Sequence, residues 1–337
     1  MSVRPLSLRR GLGQAGLALA LAVVGCAPPA PPAQPPCMTF QGDAAARAKE
    51  AEKTLEELAD HIRLSPEDEA LRHPRSVEDV RAITARDTVY LFPAAAAFAR
   101  SLGTLEGRFL EAYLELLLGE SQLVASQVLS MQAAWVSGDL RIARASLASV
   151  SGEPTTDRGR MLAQLIRVVE DGDRISEALG TIGPTHLARG SEVIRGLRKE
   201  APNDVRTHLL TAELHRLRGE WTDFDASMKA AESETMPERL ASALEYLRGM
   251  EQLERFRKPE RGAEIMRKAL ASNPKLVRAQ AALVLMAKNP RGALREIGKL
   301  RAMSQDHYLV MLLEPTLSAD HELQRMQGGG SESDAPR

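Results

Sequence analysis

The side chains best suited to chemistry are few and widely spaced. The chain holds seven histidines, His61, His73, His186, His208, His215, His307 and His321, and two cysteines, Cys26 and Cys37. None of the histidines falls in an HExxH pair or a zinc-finger spacing, the patterns that bring several ligand nitrogens to one ion. His208 and His215 are two turns apart on a predicted helix with Glu213 nearby, the nearest approach to a ligand set. Both stand where bulky packing residues belong, and packing is the favoured reading. No GxSxG nucleophile turn, Walker-type phosphate loop or Rossmann fingerprint occurs. Gly328, Gly329 and Gly330 follow no strand and open no helix, so they form no phosphate cradle. Carboxylate pairs such as Glu56 with Glu57 and Glu67 with Asp68 read as the solvated faces of helices. The residues therefore nominate no catalytic group, cofactor or metal, and the expectation is a protein that is not an enzyme.

The elements that must position these residues follow from composition. Of 337 residues, 44% are hydrophobic and 26% charged, as in soluble globular proteins, but only 4% are aromatic. Alanine and leucine supply most of the apolar mass, with abundant Glu and Arg. Such unbranched side chains lose little rotamer freedom in a helix, so an all-α fold is expected. Without Arg4, Arg9 and Arg10 the chain carries 41 basic against 45 acidic residues. With no basic excess, phosphate-driven nucleic-acid binding has no electrostatic footprint.

The first 25 residues hold Arg4, Arg9 and Arg10, no acidic residue, and an uncharged stretch from Gly11 to Val24. That core is too short to span a bilayer stably. It ends Val23-Val24-Gly25-Cys26, which resembles a bacterial lipobox and identifies 1–25 as a lipoprotein signal peptide. The resemblance implies diacylglycerol on the Cys26 thiol, cleavage after Gly25 and acylation of the new amine, an anchor of several chains and hence stable. An uncleaved helix or an ordinary signal peptide are the alternatives. Arg9-Arg10 invites a twin-arginine reading, but Gly11 and Leu12 favour the general secretion route. Residues 26–42 carry the lipidated cysteine and a Pro/Ala-rich run over 27–36. Proline lacks the N–H donor, so this run is an extended tether of roughly 30 Å. Ala27 replaces the aspartate that favours inner-membrane retention in Gram-negative lipoproteins, which implies the outer membrane, facing the periplasm. Cys37 is then a lone thiol, an unpaired cysteine or a link to another chain.

From 43 to 122 a helical region is expected. Leu55, Leu58, Ala59 and Ile62 form one stripe, Ser65-Pro66-Glu67-Asp68 marks a new start, and residues 76–88 form a short helix with Val77, Val80, Ile83 and Thr84 on one side. Val89 to Pro93 reads as a buried connector. Ala94 to Trp135 reads as a buried hairpin broken at Gly103 and Gly119, since Glu111 and Glu115 interrupt its apolar run. Over 123–325 a repeat emerges. From Val205, Ala212 falls at the eighth place, Gly219 at the fifteenth, Phe224 at the twentieth, Met228 at the twenty-fourth and Ala231 at the twenty-seventh. A second copy places Met250, Gly262 and Met266 at the eighth, twentieth and twenty-fourth places and ends on Ala269, Leu270 and Pro274. Further units are expected at 123–151 about Gly138-Asp139, at 156–179 about Gly172, and at 277–303, the last short by a turn. Residues 326–337 read as a disordered tail.

This spacing resembles the tetratricopeptide repeat, in which small residues let paired helices approach and a larger one fills the gap between repeats. The bulk of Phe224 and Met250 departs from that pattern, and a generic helical bundle is the plainer alternative. The resemblance implies a solenoid of antiparallel helix pairs with a concave face. Its groove positions are Arg206, Leu209, Glu213, Arg216 and Leu217 in one repeat and Leu244, Leu247, Glu251, Glu254 and Arg255 in the next. Their mixed sign departs from a basic carboxylate clamp. The implied role is a scaffold or assembly factor for a pilus, secretion or outer-membrane assembly machine, binding a peptide or helix of an envelope protein. The alternatives are a periplasmic solute-binding component of a transporter and an activator of a cell-wall enzyme. If Cys26 carries the lipid, Cys26→Ser is expected to move the chain from the membrane pellet to the soluble envelope fraction, read by immunoblot after fractionation.

Overall fold

A computed structural model describes residues 64–148, 157–310, 312–314 and 317. The signal segment, Cys26, the tether, Cys37, the helix expected to begin at Asp43, His61, His321 and the polar tail lie outside the described residues. All described elements are helical, as the composition predicts. Two compact units emerge: residues 64–84 and 88–237 form one, and residues from 238 onward with Ala85–Asp87 form the other.

The first unit begins with a four-residue helix, α1 (Pro66–Glu69). The Ser65 hydroxyl accepts the Asp68 N–H at 3.4 Å, and Pro66 occupies the first turn, where no N–H is needed. Helix α2 (Val77–Arg86) buries Val80 and Ile83, two members of the predicted stripe. A 3-10 turn at Val89–Leu91 delivers the chain into α3 (Phe92–Ser101), with Leu91 and Phe92 buried, so the connector sits in the core as expected. These side chains pack with Leu114, Leu117 and Leu118, which belong to α4 (Leu105–Ala148).

Helix α4 and its successor α5 (Asp157–Glu200) each run 44 residues, about 66 Å at 1.5 Å per residue. The breaks expected at Gly119, Gly138-Asp139 and Gly172 do not occur, and the boundary drawn between 122 and 123 falls inside α4. A single glycine costs a helix only about 1 kcal/mol, and Gly119 and Gly183 have a packing role between these two helices. A Cβ on Gly183 would lie 2.9 Å from Leu123 Cγ and 3.3 Å from the Gly119 carbonyl oxygen; one on Gly119 would lie 2.5 Å from Leu187 Cδ2. Two turns away the Ser126 hydroxyl donates to the Ser176 carbonyl at 2.7 Å, and the Ser176 hydroxyl returns a bond to the Ser126 carbonyl at 2.8 Å. Pairing Ser126 with Ser176 and Gly119 with Gly183 fixes the helices as antiparallel. Ala112, Gly119 and Ser126 on α4 and Ser176, Gly183 and Gly190 on α5 each recur every seventh residue, the period that keeps one seam facing a partner helix. Pro184 lies inside α5 without ending it.

Helix α6 (Val205–Arg218) starts at Asp204, whose side chain accepts the Arg206 N–H at 2.8 Å, and stops at left-handed Gly219, φ 71°. Helix α7 (Trp221–Ser233) packs back on it. Ala212, Phe224, Met228 and Ala231 of this pair are all buried. The Phe224 ring is accommodated edge-on to Trp221, with centroids 5.6 Å apart.

The second unit contains α8 (Glu238–Glu254), α9 (Pro259–Ser272), α10 (Val277–Leu285) and α11 (Pro290–Met303). Helices α8 and α9 approach through Gly249 and Gly262, where a Cβ on Gly262 would meet the Gly249 carbonyl oxygen at 2.9 Å. The small residue at this crossing is thus Gly249, one place before the Met250 that the repeat register puts there. Helix α10 has nine residues and is the short member of its pair, as expected. Among the described residues no helix is long and apolar enough to cross a membrane.

The two classes of helical glycine predict opposite outcomes. Gly196 has open space where a Cβ would go, so Gly196→Ala is expected to stabilise by roughly 0.5–1 kcal/mol. Gly183→Val forces α4 and α5 apart and is expected to destabilise by about 1–3 kcal/mol. Urea denaturation followed by circular dichroism distinguishes the two signs.

Candidate functional site

In the second unit α9, the end of α10 and the start of α11 enclose a cleft of about 520 Å³. The Asn289 side chain caps α11 by accepting the Gly292 N–H at 2.8 Å, and Pro290 fixes its first turn. This sets Arg291 and Arg295, one turn apart, on one wall, with Arg267 of α9 also lining the cleft over Leu283 and Met286. The acidic lining groups are largely committed elsewhere. Glu260 pairs with Lys288 at 3.1 Å and Glu264 with Arg261 at 2.8 Å. Buried Glu296 accepts from Gln280 at 2.9 Å and from Lys299 at 3.0 Å. Burial alone would raise the Glu296 pKa, but those two donors, together with the nearby charges of Lys299 and Arg267, outweigh it and hold the group below its ordinary range. Arg295 stands 3.9 Å from the same carboxylate. Arg267 and Arg291 have no hydrogen-bonded partner among the described residues.

The cleft lining is dominated by charged side chains, the cations Arg267, Lys288, Arg291 and Arg295 and the acids Glu260, Glu264 and Glu296. Guanidinium groups on a partly apolar floor suit a carboxylate, which they bind in a planar, two-pronged geometry.

The positions singled out as a groove lie elsewhere. Leu209, Glu213 and Arg216 are buried, and Leu217 packs with Leu210 and Leu214 against Phe109, Leu116, Ile194 and Leu197 of α4 and α5. Arg206 lies 3.8 Å over the Phe109 ring and donates to Glu106 at 2.6 Å and to Asp204 at 2.8 Å. Arg216 donates to Glu213 at 3.0 Å and also to Glu120. The first set is therefore not an open groove, because the long helices cover that face of α6. In the second set Leu244 and Leu247 are buried, and Arg255 pairs with Glu251 at 2.9 Å. Glu254 is half-buried. Arg267 and Arg291 carried no local signal, since three different helices bring the cleft together.

Two buried histidines serve the packing. His186 donates from Nδ1 to Glu115 at 2.6 Å, while Arg100 bridges Glu115 at 2.9 Å and Glu111 at 2.6 Å. His307 accepts the Leu309 N–H at Nδ1, 3.2 Å away, so its proton sits on Nε2 and is donated to Asp87 at 3.1 Å. Both ring nitrogens are thus occupied, while the second carboxylate oxygen of Asp87, Oδ1, is buried without a hydrogen-bond partner. The His208, Glu213 and His215 grouping is not assembled: Glu213 holds Arg216, and His215 pairs with Glu220 at 2.6 Å.

No family model, curated protein or solved structure matches the chain.

Arg216 is buried and pairs with both buried Glu213 and half-buried Glu120, so Arg216→Ala, which removes both ion pairs, is expected to cost about 3–5 kcal/mol in thermal or chemical unfolding. The chain of Arg81, Glu106, Arg206 and Asp204 gives a pH signature. Arg206 holds Asp204 below its usual range, and in Glu106 the bonds from Arg81 and Arg206 overcome the upward push of burial. Depressed folded values mean a stability contribution present above the ordinary carboxylate values of about 4 and lost as pH falls below them. The melting temperature of Arg206→Met is therefore expected to fall less steeply over that acidic range than that of the parent.

Proposed function

We propose that the chain is a lipid-anchored scaffold, held through Cys26 in the outer membrane and facing the periplasm, that binds an acidic segment of an envelope protein. The observation that carries this reading is the cleft between α9, α10 and α11, in which Arg267 and Arg291 are left without hydrogen-bonded partners while the neighbouring acids are neutralised. A mobile acidic peptide reaching those cations would exchange water for charge-assisted hydrogen bonds on a preformed surface. Helices α9, α10 and α11, which supply that surface, are read as parts of tetratricopeptide-like repeats, and the tether gives the folded part reach. The class of partner is a component of a pilus, secretion or outer-membrane assembly machine. No catalytic step is assigned.

A second reading rests on cleft size. A volume of about 520 Å³ falls within the range of small-ligand pockets, so a small anionic solute of a transporter would also fit.

The deciding experiment places a photo-crosslinking amino acid at Ala287, on the cleft, in the full chain in intact cells. A single envelope protein with an acidic segment is expected in the crosslinked band, and it is expected to disappear when Arg267, Arg291 and Arg295 are all changed to Glu. A crosslink that survives the triple substitution, or recovery of the chain alone, overturns the scaffold reading. In the latter case, an organic anion released on denaturing the purified protein would favour the solute reading.

A further inference from the structure

The turn between α6 and α7 carries a second cluster that the binding proposal does not use. His215 lies in the last turn of α6, Glu220 at the start of α7, and Asp223 in the first turn of α7. One ligand atom from each lies within 4.8 Å of the others. The turn is set by backbone bonds: the Gly219 N–H donates to the Arg216 carbonyl at 3.0 Å and the Glu220 N–H to the His215 carbonyl at 2.9 Å. The left-handed residue at 219 folds the chain back, so the fifth residue after His215 returns to its side.

The ordinary explanation for acids at a helix start is capping. It does not account for these two, because the Glu220 side chain makes no cap hydrogen bond to α7. Its carboxylate is instead directed to His215 Nδ1 at 2.6 Å. Neither Glu220 nor Asp223 has a Lys or Arg partner among the described residues. Two uncompensated carboxylates therefore converge on an imidazole at a backbone-fixed turn. His215 is half-buried and the acids are exposed, which leaves the solvent side free for further ligands.

From this geometry we infer that His215, Glu220 and Asp223 form a binding site for a transition-metal dication, zinc in the first instance. One imidazole nitrogen and two carboxylate oxygens match borderline metals, whereas magnesium and calcium prefer all-oxygen sets. Three protein ligands and a water complete a four-coordinate zinc site. Bonds of about 2.0–2.1 Å require ligand atoms roughly 3.3 Å apart, so Glu220 draws back from its 2.6 Å contact with Nδ1 to admit the ion, and any longer separation within the 4.8 Å spread closes. The metal takes Nδ1, and the proton shared there with Glu220 leaves for Nε2 or for water. The bound ion ties the end of α6 to the start of α7, so metal loading stiffens this helix pair. The site is independent of the cleft between α9, α10 and α11.

The test is calorimetric titration of zinc into the full mature lipoprotein, purified in detergent and stripped with EDTA. One saturable site is expected, with affinity reduced at least tenfold in both His215→Gln and Asp223→Asn, and unchanged in His208→Gln. Glu220→Gln provides a third variant, and circular dichroism melting in EDTA shows whether each variant keeps the parent fold. Cobalt is expected to give a visible ligand-field band in the parent that His215→Gln abolishes. Absence of saturable zinc binding overturns the inference. So does binding that the His215 and Asp223 variants leave unchanged, or equal binding of magnesium.

Discussion

Four glutamates on one helix organise the first unit. Glu106, Glu111, Glu115 and Glu120 of α4 receive Arg81 from α2, Arg100 from α3, His186 from α5, and Arg206 and Arg216 from α6. Every neighbouring helix is thus tied to α4 by at least one ion pair. The pair of Arg81 with Glu106 is exposed and adds little, and the buried ones add little net stability over apolar residues of the same size, because desolvation cancels most of the attraction. Each does oppose any rotation or slide that would strand a buried charge. The apolar seam cannot give that register by itself. Leucine and alanine tolerate a shift of one turn, whereas Glu115, which is 1% exposed, tolerates no loss of His186 and Arg100 together.

The glycine seam and the glutamates act on the same interface in complementary ways. Gly119 and Gly183 let α4 and α5 approach until a Cβ on one helix would touch the other, and at that distance dispersion contacts are dense. Close packing without directional groups would leave the vertical register loose. The reciprocal bonds of Ser126 with Ser176 lie on one side of the crossing, and the bond of His186 with Glu115 lies on the other. The crossing is therefore bracketed by polar contacts that exist in only one alignment.

Much of the helical architecture was legible from local chemistry. Ser65-Pro66, the stripe of Val80 and Ile83, and Gly219 at the end of α6 all act through neighbours a few residues away, which is the range that periodicity and capping read. The failures lie where a distant partner overrules a local signal. Gly119, Gly138 and Gly172 read as breaks because a glycine alone weakens a helix, and the sequence does not reveal that a second helix of equal length runs alongside. Arg206 and Arg216 read as groove residues because repeat spacing places them on the inner face. Their acids, Glu106 and Glu120, are about one hundred residues upstream, and no short-range pattern links the two. The buried hydrophobic positions Ala212, Met228 and Ala231 were correctly spaced, since packing within a helix pair is itself local.

Polar groups consumed by folding differ from those left over, and that difference carries more functional information than residue type. Asp87 with His307, and Glu115 with His186 and Arg100, have the composition of reactive clusters. Most of their polar atoms are nevertheless bonded within the fold: His307 has a donor on one ring nitrogen and an acceptor on the other, and of the Asp87 carboxylate only Oδ1 lacks a partner. Arg267, Arg291 and Asp223 are ordinary surface residues by type, but the described structure gives their side chains no hydrogen-bonded partner. Arg267 acts on Glu296 through its charge alone, and the other two sit beside a cap or a turn: Arg291 behind the Asn289 cap, Asp223 after the Gly219 turn. Folding sets where such an exposed charge leaves the backbone, while its side chain is ordered only when a partner is bound. On that ground the two ends of helix pairs, rather than the buried dyads, are where an external ligand gains most from binding.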